Sequence, residues 1–462
     1  MQRSDGCGAG AGGGKLPEEC EQYAPLYESI DRDLELFKRT GGITPRLMAK
    51  TIKLHSAGNK EKGLAVAFYN GRVFVISNTR EIDLGRFGHH VSLWVAYLRA
   101  MLHLEETHGS ALPNVEFVWH TIDRPTRLIN TSAGGVNYPV LRFGKSAAHP
   151  DILVPNFHFY QKLYQTAYLD AMPARAAARP WAARTPVAFA RFSAYDRYVH
   201  PNDTHTQRAR AGDRAPLCVV KGRGTAICPV RSYLHDWAAN HTILAPPPCA
   251  PPDSGNRVRC PALRAPPASD RLDVNKHRHV AMEEFAGYRY LLHVDGQGLS
   301  SRLEFLLTLG SLVLKEESGY VAYYHHLLRP YEHYVPVWKA GSGPEDILEA
   351  VDWARAHDAE AQRIAAAGQA FAARHLSAQA RVCFWQRLFL SYAAVMTYDP
   401  VSYRNITMVL GAAGAGAAGT AGRVDVVSVR GNLPYIKPAR RFLAEEVTRF
   451  NPRLLQDEPW EP

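Results

Sequence analysis

Apolar residues recur along this chain at two alternating spacings. From Cys20, the stretch CEQYAPLYESIDRDLELF carries Tyr23, Leu26, Tyr27, Ile30, Leu34 and Phe37 on one helical face, and the following GGI stops that helix. GLAVAFYNGRVFVIS then reads as a hairpin, with Asn70-Gly71 turning between two β-rich runs. HHVSLWVAYLRAMLHLEETHG is a helix that ends at a glycine. VEFVWH is a short strand running into Asp123 and Pro125, and VLRFGK and DILVPNFHFY follow as two more strand-like runs.

A second alternation starts near TPVAFARFSAY at 185–195. It runs through YLLHVDGQGLSSRLEFLLTLGSLVLKEES at 290–318 to HYVPV and a helix over 345–375. Strands alternating with helices predict α/β layers with a largely parallel sheet. Between the two alternations, 205–270 is rich in Pro, Ala and Arg and reads largely as irregular loop. The Gly-rich residues 1–15 read as disordered, and GAAGAGAAGTAG at 411–422 as a low-complexity linker or insertion.

Composition narrows the class. At 462 residues the chain exceeds the size at which one core stops growing, so two domains are expected. The formal charge of +10 suits an anionic ligand, but the basic residues are scattered rather than massed, and a solvated basic surface accounts for them; a nucleic-acid partner is not expected. No apolar run approaches the ~20 residues that span a bilayer. MQRSDGCGAGAGGGK lacks the apolar centre of a signal peptide. The seven cysteines are too few for a disulfide framework by count alone, and sequons at Asn130, Asn202, Asn240 and Asn405 matter only in a secretory lumen.

The chemistry concentrates in 290–318. YLLHV reads as a buried strand and SRLEFLLTLGS as a helix stopped by Gly310, with Ser300 or Ser301 at its cap. Arg302 falls in the first helical turn, where a cation is disfavoured unless an anion sits there too. Gly296 and Gly298 let the backbone come close to a ligand. Such a loop is a phosphate cradle or an ordinary strand–turn–helix with an exposed arginine, and the pattern alone holds the two level. The next strand ends in Lys315, Glu316, Glu317 and Ser318; ligands of open α/β sheets bind beyond such strand ends, and Glu317 is the acidic group offered to ribose hydroxyls. A dinucleotide oxidoreductase is disfavoured because serine at 301 breaks the G-x-G-x-x-G pattern.

The block YRYLLHVDGQGLSSRLEFLLTLGSLVLKEESGYVAYYHHLLRPYEHYVPV resembles the signature of glycosyltransferase family 90. CEQYAPLYESIDRDLELFKRTGGIT, NVEFVWHTIDRP, FGKSAAHPDILVP and AFARFS resemble further family blocks in the right order. The resemblance implies a GT-B-like fold, two Rossmann-like domains facing across a cleft. On that reading 16–180 form the acceptor-side domain and 181–375 the UDP-sugar-binding domain, with the irregular insertion at about 205–270. Residues 376–462 form a helix returning to the first domain, plus insertion and tail.

It also implies transfer of glucose or xylose from a UDP-sugar to a hydroxyl of a glycoprotein or glycan, with inversion, without a cofactor and without a metal. Asp123 matches the catalytic base; a lone Asp before Arg-Pro is otherwise a turn residue. Arg302 matches the diphosphate arginine, Gly298, Leu299, Ser300 and Ser301 its cradle, and Arg191 and Ser193 a donor-contacting pair.

Three positions depart from the family. Phe192 stands where glycine is usual, Val199 where a second donor arginine is expected (Arg197 is the nearest substitute), and Asp295 where animal members carry arginine. These departures raise a second expectation, a catalytically inactive glycan- or nucleotide-sugar-binding protein of the same fold. Cys20 and Cys383 resemble family cysteines that pair with each other, while Ala286 and Leu309 replace another family pair. A Cys20–Cys383 bridge implies an oxidising lumen, endoplasmic reticulum or Golgi, and a targeting segment absent from this N-terminus.

Overall fold

The computed structural model describes residues 16–56, 62–161, 164, 169–206, 209–221, 225–240, 271–275, 280–410, 424–428 and 433–455. The stretches read as disordered at 1–15 and as low-complexity at 411–422 lie outside them.

The first half runs α1 (Ala24–Arg39), α2 (Pro45–His55), β1 (Gly63–Tyr69), β2 (Arg72–Ser77), α3 (His90–His108), β3 (Val115–His120), β4 (Val140–Arg142) and β5 (Ile152–Leu153). The second half runs α4 (Ala171–Ala177), β6 (Thr185–Arg191), β7 (Arg197–Val199), β8 (Val219–Lys221), β9 (Thr225–Cys228), α5 (Val230–Asn240), β10 (Leu272–Asn275), β11 (Tyr288–His293), α6 (Arg302–Thr308), β12 (Leu312–Glu316), β13 (Val335–Val337), α7 (Asp346–Ala356) and α8 (Asp358–His375). The chain then returns through α9 (Ala378–Val395), β14 (Thr407–Leu410), β15 (Val424–Ser428) and β16 (Tyr435–Pro438).

Two α/β sheets result, as two Rossmann-like domains require. The second is wholly parallel, in the order β10-β6-β11-β12-β13. The first is mixed, in the order β16-β2-β1-β3-β4-β5: β3, β4 and β5 are parallel, but β16, β2, β1 and β3 pair antiparallel. The antiparallel part follows from the hairpin. Asn70 and Gly71 both adopt positive φ, 46° and 75°, the handedness that matches strand twist. A side chain at Gly71 would lie 2.4 Å from the carbonyl oxygen of Gly109, so only glycine fits.

Two sequence expectations need correction. The helix expected over 345–375 breaks at His357 (φ −121°, ψ 50°), and Asp358 with Glu360 opens a new helix in the favourable acidic first turn. The segment expected to be irregular begins as ordered structure. β8 and β9 join β7 in a three-stranded antiparallel sheet, a Cys218–Cys228 disulfide ties β9 to the residue before β8, and α5 follows. Residues 241–270 of that segment lie outside the described ones.

One apolar core runs from the first sheet through α1, α3 and α9 to α6 and one face of the second sheet; another fills that sheet's opposite face with α5, α7 and α8. The two halves therefore share buried surface. Helix α9 packs on α1, and the expected bridge is present: Cys20 and Cys383 are disulfide-bonded with Cα atoms 5.3 Å apart. Buried in the first half, Glu116 of β3 accepts hydrogen bonds from Tyr69 (2.6 Å) and Tyr398 (3.0 Å) and a two-pronged ion pair from Arg404, fastening the returning chain to the sheet.

Candidate active site

The carboxyl ends of β3 and β4 meet those of β11 and β12. The sharpest contact is between Gly298 and the Asp123 loop: a Cβ on Gly298 would lie 2.1 Å from the Asp123 carbonyl oxygen. Beside it, a Cβ on Gly144 would lie 2.5 Å from that of Leu299, and Lys145 pairs with Val321 through backbone hydrogen bonds of 3.1 and 2.8 Å. Two loops distant in sequence thus touch backbone to backbone, which only glycines permit.

Asp123 is held from behind. Arg142, 1% exposed, donates from Nη1 to the carbonyls of Ile122 (3.0 Å) and Arg124 (2.9 Å) and from Nε to Asp151 (2.9 Å). The backbone on both sides of Asp123 is therefore fixed while its side chain stays open to solvent. The surrounding protein still desolvates it in part, which pushes the carboxyl above its ordinary 3.8, opposed by the charges of Arg231, His89 and Arg142. Arg124 reaches across to the second half, its guanidinium 4.0 Å from the centre of the Tyr198 ring.

The cradle is organised by carboxylates. Asp295 Oδ1 accepts from the Ser300 N–H at 2.7 Å, Oδ2 accepts from the Ser318 hydroxyl at 2.5 Å, and His293 Nε2 lies 3.3 Å from Oδ1. Burial alone would raise this acid, but His293, Arg197 and Ser318 hold it below the ordinary range, so it is ionised. Ser301 occupies the N-cap of α6 without a side-chain cap bond; Asp295 supplies the bond to Ser300 instead. Arg302 begins α6, half-buried, and among the described residues it makes no hydrogen bond or ion pair. Burial lowers its pKa, and the Tyr164 hydroxyl opposes the shift.

Not all the expected donor residues face this space. Arg197 has no exposure and grips both oxygens of Glu316 (2.7 and 2.6 Å), because a guanidinium that far inside needs a counter-charge. Glu316 in turn accepts from the Asp295 N–H at 3.0 Å, so the pair shapes the cradle from beneath. Arg191 turns to β10, donating to Asp273 Oδ1 (2.6 Å) and to its carbonyl (2.7 Å). Glu317, at the end of β12, is 3.4 Å from Lys315 Nζ. The structure brings together Asp123, Gly298, Leu299 and Arg302, with Ser193 exposed at the end of β6; Arg191, Arg197 and Glu317 are engaged elsewhere.

One residue at the site went unread in the sequence. Arg231 of α5, 5% exposed, donates to the Val294 carbonyl (2.8 Å) and the Ser193 carbonyl (3.3 Å). Its signal was the apolar spacing of Val230, Leu234, Trp237 and Ala238 within a Pro- and Arg-rich stretch. Among the described residues no group of three or more His, Cys, Asp or Glu side chains could hold a metal ion, and no helix is long and apolar enough to cross a membrane.

Asp123 and Arg302 thus stand beyond the carboxyl ends of strands from two Rossmann-like sheets, where open α/β sheets bind ligands. The family model for glycosyl transferase family 90 matches residues 16–198 and 230–427, and the chain belongs to that family. Protein O-glucosyltransferase 2 of Danio rerio is 38% identical over 123 residues, 27% of this chain and 24% of that protein. O-glucosyltransferase rumi of Drosophila pseudoobscura pseudoobscura is 27% identical over 304 residues, 63% of each chain. Protein O-glucosyltransferase 1 of Mus musculus is 22% identical over 397 residues, 83% of this chain and 82% of that protein. The first two matches thus span less than two thirds of those relatives' length.

Proposed function

We propose that this protein transfers a sugar, glucose or xylose, from a UDP-sugar to a hydroxyl of a protein or glycan acceptor, with inversion and without a metal. The observation that carries the proposal is the contact of the Gly298 loop with Asp123, which puts an open carboxylate beside the loop that leads to the unpaired Arg302.

Asp123 removes the proton from the acceptor hydroxyl, and that oxygen attacks C1 of the sugar from the face opposite the diphosphate. The new C–O bond forms as the bond from C1 to the diphosphate oxygen breaks, and UDP departs with the bonding electrons. Arg302 and the cradle stabilise the charge that develops there, a task that fixed cations perform in the absence of a metal. Two disulfides, together with relatives named as protein O-glucosyltransferases, support an oxidising secretory lumen as the working compartment.

The test is UDP release from UDP-glucose and UDP-xylose with peptide and oligosaccharide acceptors, in excess EDTA. Acceptor-dependent release by the wild type, lost in Asp123→Asn, is the expected result. Donor binding without turnover under all conditions would establish the inactive binding protein instead, and activity restored only by added manganese would overturn the metal-free mechanism.

A further inference from the structure

Two departures from the family pattern, Phe192 and Val199, fall beside the expected donor residues Arg191, Ser193 and Arg197. Val199 is fully buried and offers nothing to a ligand. Phe192 is buried too, and its ring turns away from the cleft toward α5, 5.0 Å from the Arg231 guanidinium and 4.9 Å from the His235 ring. The bulky ring therefore leaves the opening clear and backs Arg231.

Arg231 crosses from α5 to the cleft and bridges two strand ends. Its Nε (3.2 Å) and Nη2 (2.8 Å) donate to the Val294 carbonyl beyond β11, and Nη1 (3.3 Å) to the Ser193 carbonyl beyond β6. Gly296 makes the room, since a Cβ there would lie 3.2–3.4 Å from the guanidinium atoms. A guanidinium has five N–H groups, and three are spent on carbonyls. No carboxylate forms an ion pair with Arg231 among the described residues, and Arg302, close enough to repel it, has none either. The charges of Asp295 and Glu316 favour Arg231 but are themselves engaged by His293 and Arg197, so a bound anion would add counter-charge that the two neighbouring arginines share.

We infer that Arg231 is a donor-binding residue whose two remaining N–H groups hold the diphosphate of the nucleotide-sugar together with Arg302, replacing the arginine that the family places at the position of Val199. Burial and the Arg302 charge push its guanidinium down to about 10, still protonated at neutral pH, as this role needs. The inference rests on the UDP-sugar reading of the same cleft.

The experiment compares UDP with uridine, which lacks the phosphates, by titration of the purified full chain and by saturation-transfer NMR. Arg231→Gln should bind UDP about 10- to 100-fold more weakly, the loss of charge-assisted hydrogen bonds, while uridine binding is unchanged. Unchanged UDP affinity would overturn the inference. So would parallel loss of UDP and uridine, which would mean that Arg231 only shapes the cleft. If Arg231→Gln does not fold, Arg231→Lys, which keeps the charge but loses the fork, must still weaken UDP selectively; if it does not, the inference fails. Wild-type protein that binds no UDP would instead bring down the donor reading, and this inference with it.

Discussion

In the proposed mechanism Asp123 and Arg302 do opposite jobs, and their surroundings differ to match. Desolvation holds the Asp123 pKa above 3.8, and a base works only when deprotonated. The kcat/KM profile should therefore fall as pH drops through that raised value, placing its acid limb above the ordinary aspartate range. A pH series on the wild type reads this directly, and a limb at or below 3.8 would remove Asp123 from the role. For Arg302, replacement by alanine should reduce kcat/KM by a transition-state loss on the order of 2–4 kcal/mol, the size expected of a fixed electrostatic donor. Because Arg302 has no hydrogen-bond or ion-pair partner to strand among the described residues, its removal should leave the melting temperature nearly unchanged. Their places were legible in the sequence, Asp123 just beyond a buried strand and Arg302 in the first turn of the next helix, but the roles proposed for them came from the family resemblance and not from the spacing. Arg197 was misleading for a reason no spacing reveals: its partner, Glu316, comes from a different strand and draws it inward.

Strands and helices were easiest to read where one period ran undisturbed. The β1–β2 hairpin, α3, β3, β11 and β12 all stand where alternation and turn residues put them. α5 did not show because prolines and arginines crowd both sides of its short apolar pattern, and the pairing of β16 with the hairpin did not show because β16 lies beyond the low-complexity segment. The loop after β11 is the element on which the proposed site depends. Gly298→Ala would set a methyl group against the Asp123 carbonyl, backbone against backbone, so the loop must retreat. The expected result is a folded protein with kcat reduced at least about tenfold, since small displacements of reacting groups are expensive. Circular dichroism with steady-state kinetics checks it, and wild-type kcat would mean that the contact does not set the geometry.

At the scale of the molecule, the halves are joined by a shared core and by the Cys20–Cys383 bridge between the start of the chain and α9. Replacing both cysteines by serine should lower stability on the order of 2–5 kcal/mol, seen as an earlier chemical denaturation midpoint. A midpoint equal to wild type would show that packing of α1 on α9 suffices without the bond. The shared core also predicts that residues 16–180 expressed alone will not give a cooperative thermal transition, since α9 and β16, which complete that half, come from the other end of the chain. A sharp, reversible melt of that fragment would contradict this.

That arrangement imposes a timetable on synthesis. Cys20 and Cys383 are 363 residues apart, so at ~5–20 residues per second the first thiol waits roughly 20–70 s for its partner to emerge. The outer edge of β2, which β16 covers, is exposed for longer still. Meanwhile Cys218 and Cys228, 10 residues apart, emerge first and can capture Cys20 in a mispaired bridge before Cys383 appears. Nascent chains stalled ahead of residue 383 in an oxidising lumen should carry such bridges, detectable as faster-migrating species on non-reducing gels. Maturation then requires an isomerase to undo them, so the yield of folded protein should depend on thiol exchange more than on the speed of oxidation.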